Sequence, residues 1–356
     1  MPAPYVKTVL TGKGGRMGVA GFPPTLLAGL GASCISASAV LITLARSGTA
    51  TTAFYRCALA VPLLGALALA EQRRRGRRPV RPRVGAVVAG MFLAIDLVLW
   101  NHAIAAVGAG VATVLGNLQV LFVAMAAWAL FGERPARVFL LALPVVMAGV
   151  ALVSGLADGP GGGTHPLTGI TYGVGTSVAY AVFLLVLRQA STGTPHVAGP
   201  LAEATIGAAA GSLLLGLAFG GLQLHIPWRS FGWLLLLAMT SQTAGWLLIT
   251  SSLPRLPAAV SSLLLLLQPA AAMLLAAAVL GERPSPLQIS GAILVCCGVL
   301  AVSRSAGRQR PDKPDPDTKR NDRDSSPTVA VPPSWRTGAP QQRRTPVMSV
   351  DRPWPR

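Results

Sequence analysis

The chain has 356 residues, of which 52% are hydrophobic and only 12% are charged, and its mean hydropathy is +0.56. A soluble protein of ordinary composition carries about 25% charged residues. The last 53 residues, from Arg304 onward, hold 18 of the 42 charged residues, so the region before them must face lipid over most of its length. A single water-soluble core is therefore excluded.

Ten apolar segments follow one another in the first 303 residues, each close to the roughly 20 residues that a membrane-crossing helix needs. Short breaks rich in Gly, Pro and charged residues separate them, which are signals for turns. The predicted fold class is therefore an all-α integral membrane protein with ten transmembrane helices. The predicted spans are Pro24–Leu44, Thr49–Ala70, Val84–Ala106, Gly110–Phe131, Val138–Gly155, Thr168–Leu187, Pro200–Gly220, Phe231–Ser252, Ala258–Leu280 and Leu287–Ser303.

Positive charge is distributed unevenly between these spans. Seven arginines, Arg73 to Arg83, separate the second span from the third. With the N-terminus inside, the loops of one side carry 14 Lys and Arg residues and those of the other side carry three. Because cytoplasmic loops are enriched in these residues, the pattern predicts a plasma-membrane protein with both termini in the cytoplasm. Basic residues placed between apolar segments also argue against nucleic-acid binding, despite a net charge of +18.

The strongest signal is an internal repeat. A shift of 149 residues places Gly132-Glu-Arg-Pro135 on Gly281-Glu-Arg-Pro284 and Gln119 on Gln268, with 16 identities in 51 positions from Ile104 to Ser154. Five spans per repeat is an odd number, so the second half must enter the membrane from the opposite side. Inverted repeats of this kind are common in secondary transporters, whose binding site lies near the middle of the membrane between the halves.

The repeat divides the chain into four predicted regions. Residues 1–23 form a cytoplasmic N-terminal segment, 24–155 the first five-helix repeat and 168–303 the second. Residues 304–356, with ten prolines and few apolar side chains, are predicted to be a disordered cytoplasmic tail.

Two five-helix repeats, each with Gly-Glu-Arg-Pro before the last helix, resemble the EamA-type members of the drug/metabolite transporter superfamily. The stretches Asp96–Ile104 and Gly108–Gln119 are similar to this family, and so is Phe54-Tyr55-Arg56 in the second span. The resemblance covers roughly residues 24–303. It implies a ten-helix basket that exports or exchanges small metabolites across the plasma membrane.

In one respect the chain departs from this family. Family repeats often have a proline midway in the fourth helix, as in Gln268-Pro269, but in the first half Val120 follows Gln119. A kink in the ninth span without a counterpart in the fourth would make the two halves mechanically unequal.

Ionisable residues within spans are expensive in lipid and should face a cavity or a partner. Asp96 lies near the middle of the third span, with Trp100 one turn later on the same face. One interpretation is that Asp96 binds a proton, another cation or a substrate amine while Trp100 lines the cavity. The other is that Asp96 and Arg56 form a pair that fastens two helices. Arg56 could also reach the interface or contact an anionic substrate group. For Glu203 the favoured role is that of a carboxylate at a helix start.

Neutral polar residues at membrane depth extend this set. Gln119 and Gln268 are related by the repeat and are predicted to line the pathway, and Asn101 and Asn117 are further candidates. The predicted structural hinge motifs, as opposed to ligands, are Glu133, Arg134, Pro135, Glu282, Arg283 and Pro284. Gly207-x-x-x-Gly211 and Gly216-x-x-x-Gly220 should pack closely, either on a helix of the same chain or on a second protomer in a homodimer.

No ATP-binding, metal-protease or serine-hydrolase motif is present, and the four cysteines lack metal-ligand spacing. The chain is predicted to be neither an enzyme nor a cofactor or metal binder. The predicted function is secondary transport of a small molecule by alternating access, as exporter or exchanger, driven by protons, another ion or exchange. The expected partners are the substrate, the coupling ion and membrane lipid. The alternatives are a flippase for a lipid-linked headgroup and a non-transporting receptor or assembly protein.

Overall fold

A computed structural model of the chain describes residues 22–155 and 166–308. These residues fold into helices and short connections, and no strand occurs among them. The predicted cytoplasmic tail after Arg308, nearly all of the predicted N-terminal segment and the glycine-rich turn at 158–163 lie outside the described residues.

Ten helical spans, α1 to α10, make up the described part of the chain. Nine are long and apolar enough to cross a membrane; α5, with 17 residues, is shorter but equally apolar. The spans are α1 Pro24–Ala45, α2 Thr49–Arg75, α3 Val80–Gly108, α4 Gly110–Phe131, α5 Arg137–Val153, α6 Pro166–Ser191, α7 Ala198–Phe219, α8 Trp228–Arg255, α9 Ala258–Leu280 and α10 Pro286–Arg308. The prediction of ten helices is confirmed. Several helices run past their predicted ends, because α2, α3 and α8 continue into polar residues beyond the apolar stretch.

The fourth helix of each half is interrupted, and the two breaks lie within one residue of equivalent positions in the repeat. In α4 the helix breaks at Leu118, whose N–H bonds to Leu115 O, and in α9 it breaks at Leu266, whose N–H bonds to Leu263 O. Both breaks therefore use a tight three-residue turn. The sequence suggested unequal halves if α9 were kinked without a counterpart in α4. Both helices are interrupted, because the break precedes Pro269 and does not need a proline.

Equivalent helices of the two halves pack against each other in opposite directions. A Cβ added to Gly149 of α5 would lie 2.8 Å from Gly291 O of α10, and one added to Gly298 of α10 would lie 2.2 Å from Val146 of α5. As the residue number rises along α5, its partner's number falls along α10, so the helices are antiparallel. The repeats are therefore inverted with respect to each other. This is the reciprocal contact pattern of a two-fold axis.

The equivalent helices α2 and α7 also pack against each other in opposite directions. Thr51, near the start of α2, bonds to the main chain of Gly221 just after α7, whereas Glu71, near the end of α2, accepts hydrogen bonds from Val197 and Gly199 at the start of α7. The two helices thus run antiparallel. We call the end of the bundle that holds Glu71 and the 76–79 loop the arginine end, and the end that holds Thr51 the open end.

Small residues allow α3 and α7 to approach closely. Cβ atoms added at Gly90 of α3 and at Gly207 of α7 would lie 1.8 Å from Ala204 O and 2.1 Å from Val87 O. Gly211 likewise faces α3 of the same chain. This part of the predicted glycine surface is therefore used within the chain, and it offers no face for a second protomer.

Candidate functional site

A cavity of about 590 Å³, lined by apolar side chains and a smaller set of polar ones, lies between the two halves of the bundle. Helices from both repeats form its wall, and it extends to the open end, where Thr43, Glu282 and Gln288 line it. A shared central site is the arrangement expected of inverted repeats. The predicted candidates in this wall are Arg56, Asp96, Trp100, Asn117, Gln119 and Gln268.

Asp96 is the acidic side chain deep in the cavity. It is 7% exposed, and Thr176 of α6 donates a hydrogen bond of 3.2 Å to its main-chain oxygen, which ties α3 to α6 at this level. Among the residues that the structure describes, no Lys, Arg or His side chain lies within ion-pair distance of the Asp96 carboxylate. Trp100 also lines the cavity and lies beside Gly116 of α4. The carboxylate and the indole therefore share one wall.

The Arg56 side chain bonds to α8 and not to Asp96. Its Nη2 donates to Gln242 Oε1 at 3.2 Å, and Gln242 in turn donates to Thr205 of α7 at 3.3 Å. Gln242 lies in the π-helical segment Ala238–Gly245 of α8, an irregularity that often marks a functional site. The helix-fastening pair of Arg56 with Asp96 is not formed, because the guanidinium points to α8, although the two charges still interact electrostatically.

The two symmetry-related glutamines both reach the cavity but have different partners. Gln119 is 4% exposed and its Oε1 has no hydrogen-bond partner within the described ranges, whereas the Gln268 side chain bonds to Tyr180. Asn117 donates its Nδ2 to Thr113 O at 2.7 Å. Its carbonyl oxygen is left as an acceptor toward the cavity.

Asn101 is the predicted candidate that the structure does not bring to the cavity wall. Asn101 follows Trp100 on α3 but does not line the cavity with it. Among the described residues, Asn101 is thus outside the site that the other candidates form.

Aromatic residues that were not predicted from the sequence complete the wall. Tyr180 of α6 and Trp246 of α8 both line the cavity, with ring centroids 6.4 Å apart, and Phe183 packs behind Trp246 at 4.9 Å. A signal for them was present, because only 6% of the chain is aromatic and these rings lie within spans.

A charged cluster joins several helix ends at the arginine end of the bundle. Glu133 Oε1 lies 2.7 Å from Arg188 Nη2, and Glu133 Oε2 accepts a hydrogen bond of 3.0 Å from the N–H of Ala258. Arg188 also donates to the main-chain oxygens of Leu253 and Leu256 at 3.2 and 3.1 Å. We call these five residues the latch. It joins the α4–α5 turn of the first repeat to the end of α6 and the α8–α9 turn of the second.

The two Gly-Glu-Arg-Pro turns have the same backbone but different surroundings. Gly132 and Gly281 end α4 and α9 in the left-handed conformation, with φ of 69° and 71°, which explains why both are glycines. Glu133 belongs to the latch, whereas Glu282 lines the mouth of the cavity. The same motif thus forms an ion pair in the first repeat and lines the cavity in the second.

A model of the EamA-like transporter family matches residues 23–155 and 167–304, together well over half of the chain and once for each repeat. The chain belongs to the EamA-like transporter family. It is accordingly a multi-pass membrane protein of the drug/metabolite transporter superfamily, and its substrate is a small molecule.

Comparison with solved structures gives the same fold for this EamA-like chain. One structure, titled only "Crystal structure of protein", matches with a TM-score of 0.66 and 18% identity over 80% of this chain and 98% of that one. At this identity the likeness shows the fold alone. No curated protein matches the chain.

The arginine end of this EamA-like protein carries a second charged cluster. Arg78, which is 9% exposed, pairs with Glu203 of α7 and donates to Ala190 O at 2.8 Å, and Arg83 pairs with the other Glu203 oxygen at 2.8 Å. Glu203 was predicted to be a carboxylate that stabilises the start of α7 through the helix dipole. Instead, Glu71 accepts the hydrogen bonds from the N–H groups of Val197 and Gly199 at the start of α7. Arg78 is thus a buried structural cation and not a free loop charge.

Proposed function

We propose that the protein is a secondary transporter that exports or exchanges a small polar or amphipathic metabolite by alternating access. The observation that carries this proposal is the central cavity, which holds buried polar side chains and extends to one end of the bundle, whereas the latch joins the helices at the other end. Antiparallel repeats supply the second requirement, because two halves of similar fold can exchange conformations. No step of this cycle requires ATP.

The charge distribution supports an orientation for this transporter. The arginine end carries Arg73, Arg74, Arg75, Arg77, Arg81 and Arg83, so the positive-inside rule places it in the cytoplasm of a plasma-membrane protein. In that orientation the cavity faces outward and the latch is the cytoplasmic seal. An exporter in this conformation has released its substrate and is ready to return.

Transport can be tested before the substrate is identified. Cells that overproduce the wild-type protein are expected to release at least one metabolite above the level of cells that carry an empty vector, as measured by metabolite profiling of the medium. The same metabolite should then cross the membrane of proteoliposomes under an imposed proton gradient or in exchange. Correctly inserted protein with no flux of any released metabolite under either condition would contradict the proposal.

Asp96→Asn is expected to lower this flux by about 10- to 100-fold at equal expression, because hydrogen bonds to charged groups contribute about 1.5–3 kcal/mol each. The matched control is Asn101→Ala, five residues later on the same helix but outside the cavity wall, which should transport at nearly the wild-type rate. Equal flux from wild type and Asp96→Asn would reassign Asp96 to a structural role.

A further inference from the structure

We infer that the cavity binds the protonated amino group of an organic amine at Asp96, with Trp100 covering the alkyl part next to the charge. This inference rests on the proposed transport function and names the chemical class of the substrate. It follows from the polar atoms of the cavity wall that have no partner in the described part of the chain.

The Asp96 carboxylate is unpaired. Asp96 is nine-tenths buried, lines the cavity, and has neither a hydrogen-bond donor nor a cation in contact among the described side chains. A buried carboxylate without a partner is expensive in free energy, so a site that retains one is complementary to a cation. Arg56 lies in the same wall but not at ion-pair distance from Asp96; its Nη2 is bound to Gln242, and its buried Nε has no hydrogen-bond partner among the described residues.

Several hydroxyl and amide donors of the wall are already used within the protein. Ser36, Ser154 and Thr176 donate their hydroxyl protons to main-chain oxygens, and Asn117 uses its amide donor on Thr113 O. The Asp96 carboxylate and the Asn117 side-chain oxygen have no hydrogen-bond donor among the described side chains, whereas Gln119 Oε1, also without a partner, is closed off from the cavity. A primary ammonium group has three donors and no acceptor, so it complements such a wall.

The aromatic surface beside Asp96 favours an organic amine over an alkali cation. Hard cations bound by proteins take about six or more oxygen ligands in a closed shell. Here Trp100 stands one helical turn from Asp96 and its indole lies beside Gly116, which places an aromatic surface where a closed oxygen shell would need further ligands. Indole faces attract ammonium groups and also cover their alkyl chains.

The test measures binding and does not depend on transport. Purified full-length protein in detergent is titrated with three compounds of equal size, n-butylamine hydrochloride, n-butanol and sodium butyrate, at constant ionic strength. Binding is followed by the fluorescence of the cavity tryptophans and by calorimetry. Butylammonium is expected to bind at least about tenfold more tightly than butanol or butyrate, because it alone carries a charge complementary to Asp96.

The variants locate the site. Asp96→Asn should weaken butylammonium binding at least about tenfold and leave butanol binding unchanged, and Asn101→Ala should bind all three compounds as the wild type does. If Asp96→Asn does not fold, the selectivity of the wild type among the three compounds still decides the question. Tighter binding of butyrate, equal binding of all three compounds, or loss of amine binding when sodium replaces potassium would overturn the inference. Selective amine binding without flux would instead refute the transport proposal and leave the site intact.

Discussion

Glu133→Gln is expected to open the arginine end of the cavity. The amide can still accept the Ala258 hydrogen bond, but it loses the ion pair with Arg188; the Arg188 and Glu133 side chains are 16% and 30% exposed. For a pair that is partly exposed to water, about 1–2 kcal/mol is a reasonable loss, which corresponds to roughly 5- to 30-fold in a conformational equilibrium. The bundle should therefore spend more time with the latch released.

The measurement is the labelling rate of the cysteine introduced by Ser262→Cys. The Ser262 side chain is fully buried at the start of α9, close to the latch, so a thiol there reacts only when the arginine end opens. The four native cysteines are first replaced, and labelling rates are then compared with and without Glu133→Gln. The expected increase is roughly 5- to 30-fold, and Glu133→Ala should increase it further because it also removes the bond to Ala258.

Glu282→Gln is the matched control for this experiment. It changes the equivalent residue of the other repeat, which lies at the mouth of the cavity in this conformation. The variant should not increase labelling at position 262. If both variants had the same effect, the latch would have no specific role in closing the arginine end.

Gly90→Ala is expected to reduce the yield of folded protein strongly. The new Cβ would lie 1.8 Å from the main-chain oxygen of Ala204 and 2.7 Å from the nitrogen of Ala208, and main-chain atoms cannot move aside as a flexible side chain can. The helices α3 and α7 would have to separate, and overpacking of this kind costs about 1–3 kcal/mol or more. Since α3 carries Asp96, the cavity would also be distorted.

Gly85→Ala on the same helix provides the comparison. No atom lies within 4 Å of an added Cβ at Gly85, so alanine should be neutral or should stabilise the helix by about 0.5–1 kcal/mol. Monodisperse yield in detergent and the midpoint of thermal unfolding distinguish the two variants. Similar values for both would mean that α3 and α7 do not pack as described.

The helical spans and the repeat could be read from the sequence because their signals are local or periodic. Long apolar stretches fix the helices, and a constant shift of 149 residues fixes the relation between Gly132–Pro135 and Gly281–Pro284. The same shift anticipated that Gln119 and Gln268 would approach a common cavity. The number of helices and the relation between the two repeats could therefore be predicted from the sequence.

The partners of individual charges could not be read in this way. Glu133 contacts Arg188 and Ala258, and Arg78 contacts Glu203. Each pair is separated by more than 50 residues in the sequence, and no periodic sequence pattern indicates it. The Arg56–Gln242 bond depends on the π-helical segment of α8, which no composition rule indicates. Such contacts are fixed by helix packing and not by local propensity.

The repeat also predicts the opposite conformation of the transporter. Shifting the contact of Glu133 with the Ala258 N–H by 149 residues pairs Glu282 with the N–H of Ala109 at the junction of α3 and α4. We expect this contact to form when the open end closes. A second, weaker shift of 144 residues aligns Gly29-x-Gly31-x-Ser33 of α1 with Gly173-x-Gly175-x-Ser177 of α6. It places Leu44 at the position of Arg188, so the equivalent contact at the open end lacks the arginine. That difference favours the conformation in which the latch is closed.

The most direct test of alternating access uses one cavity residue as a reporter. In a cysteine-free background, Asn117→Cys is exposed to a membrane-impermeant maleimide from either face of oriented vesicles. Alternating access predicts labelling from both faces, with Glu133→Gln increasing labelling from the arginine face and decreasing it from the other, and no leak of small ions through the protein. Labelling from a single face under every condition, including release of the latch, would contradict alternating access.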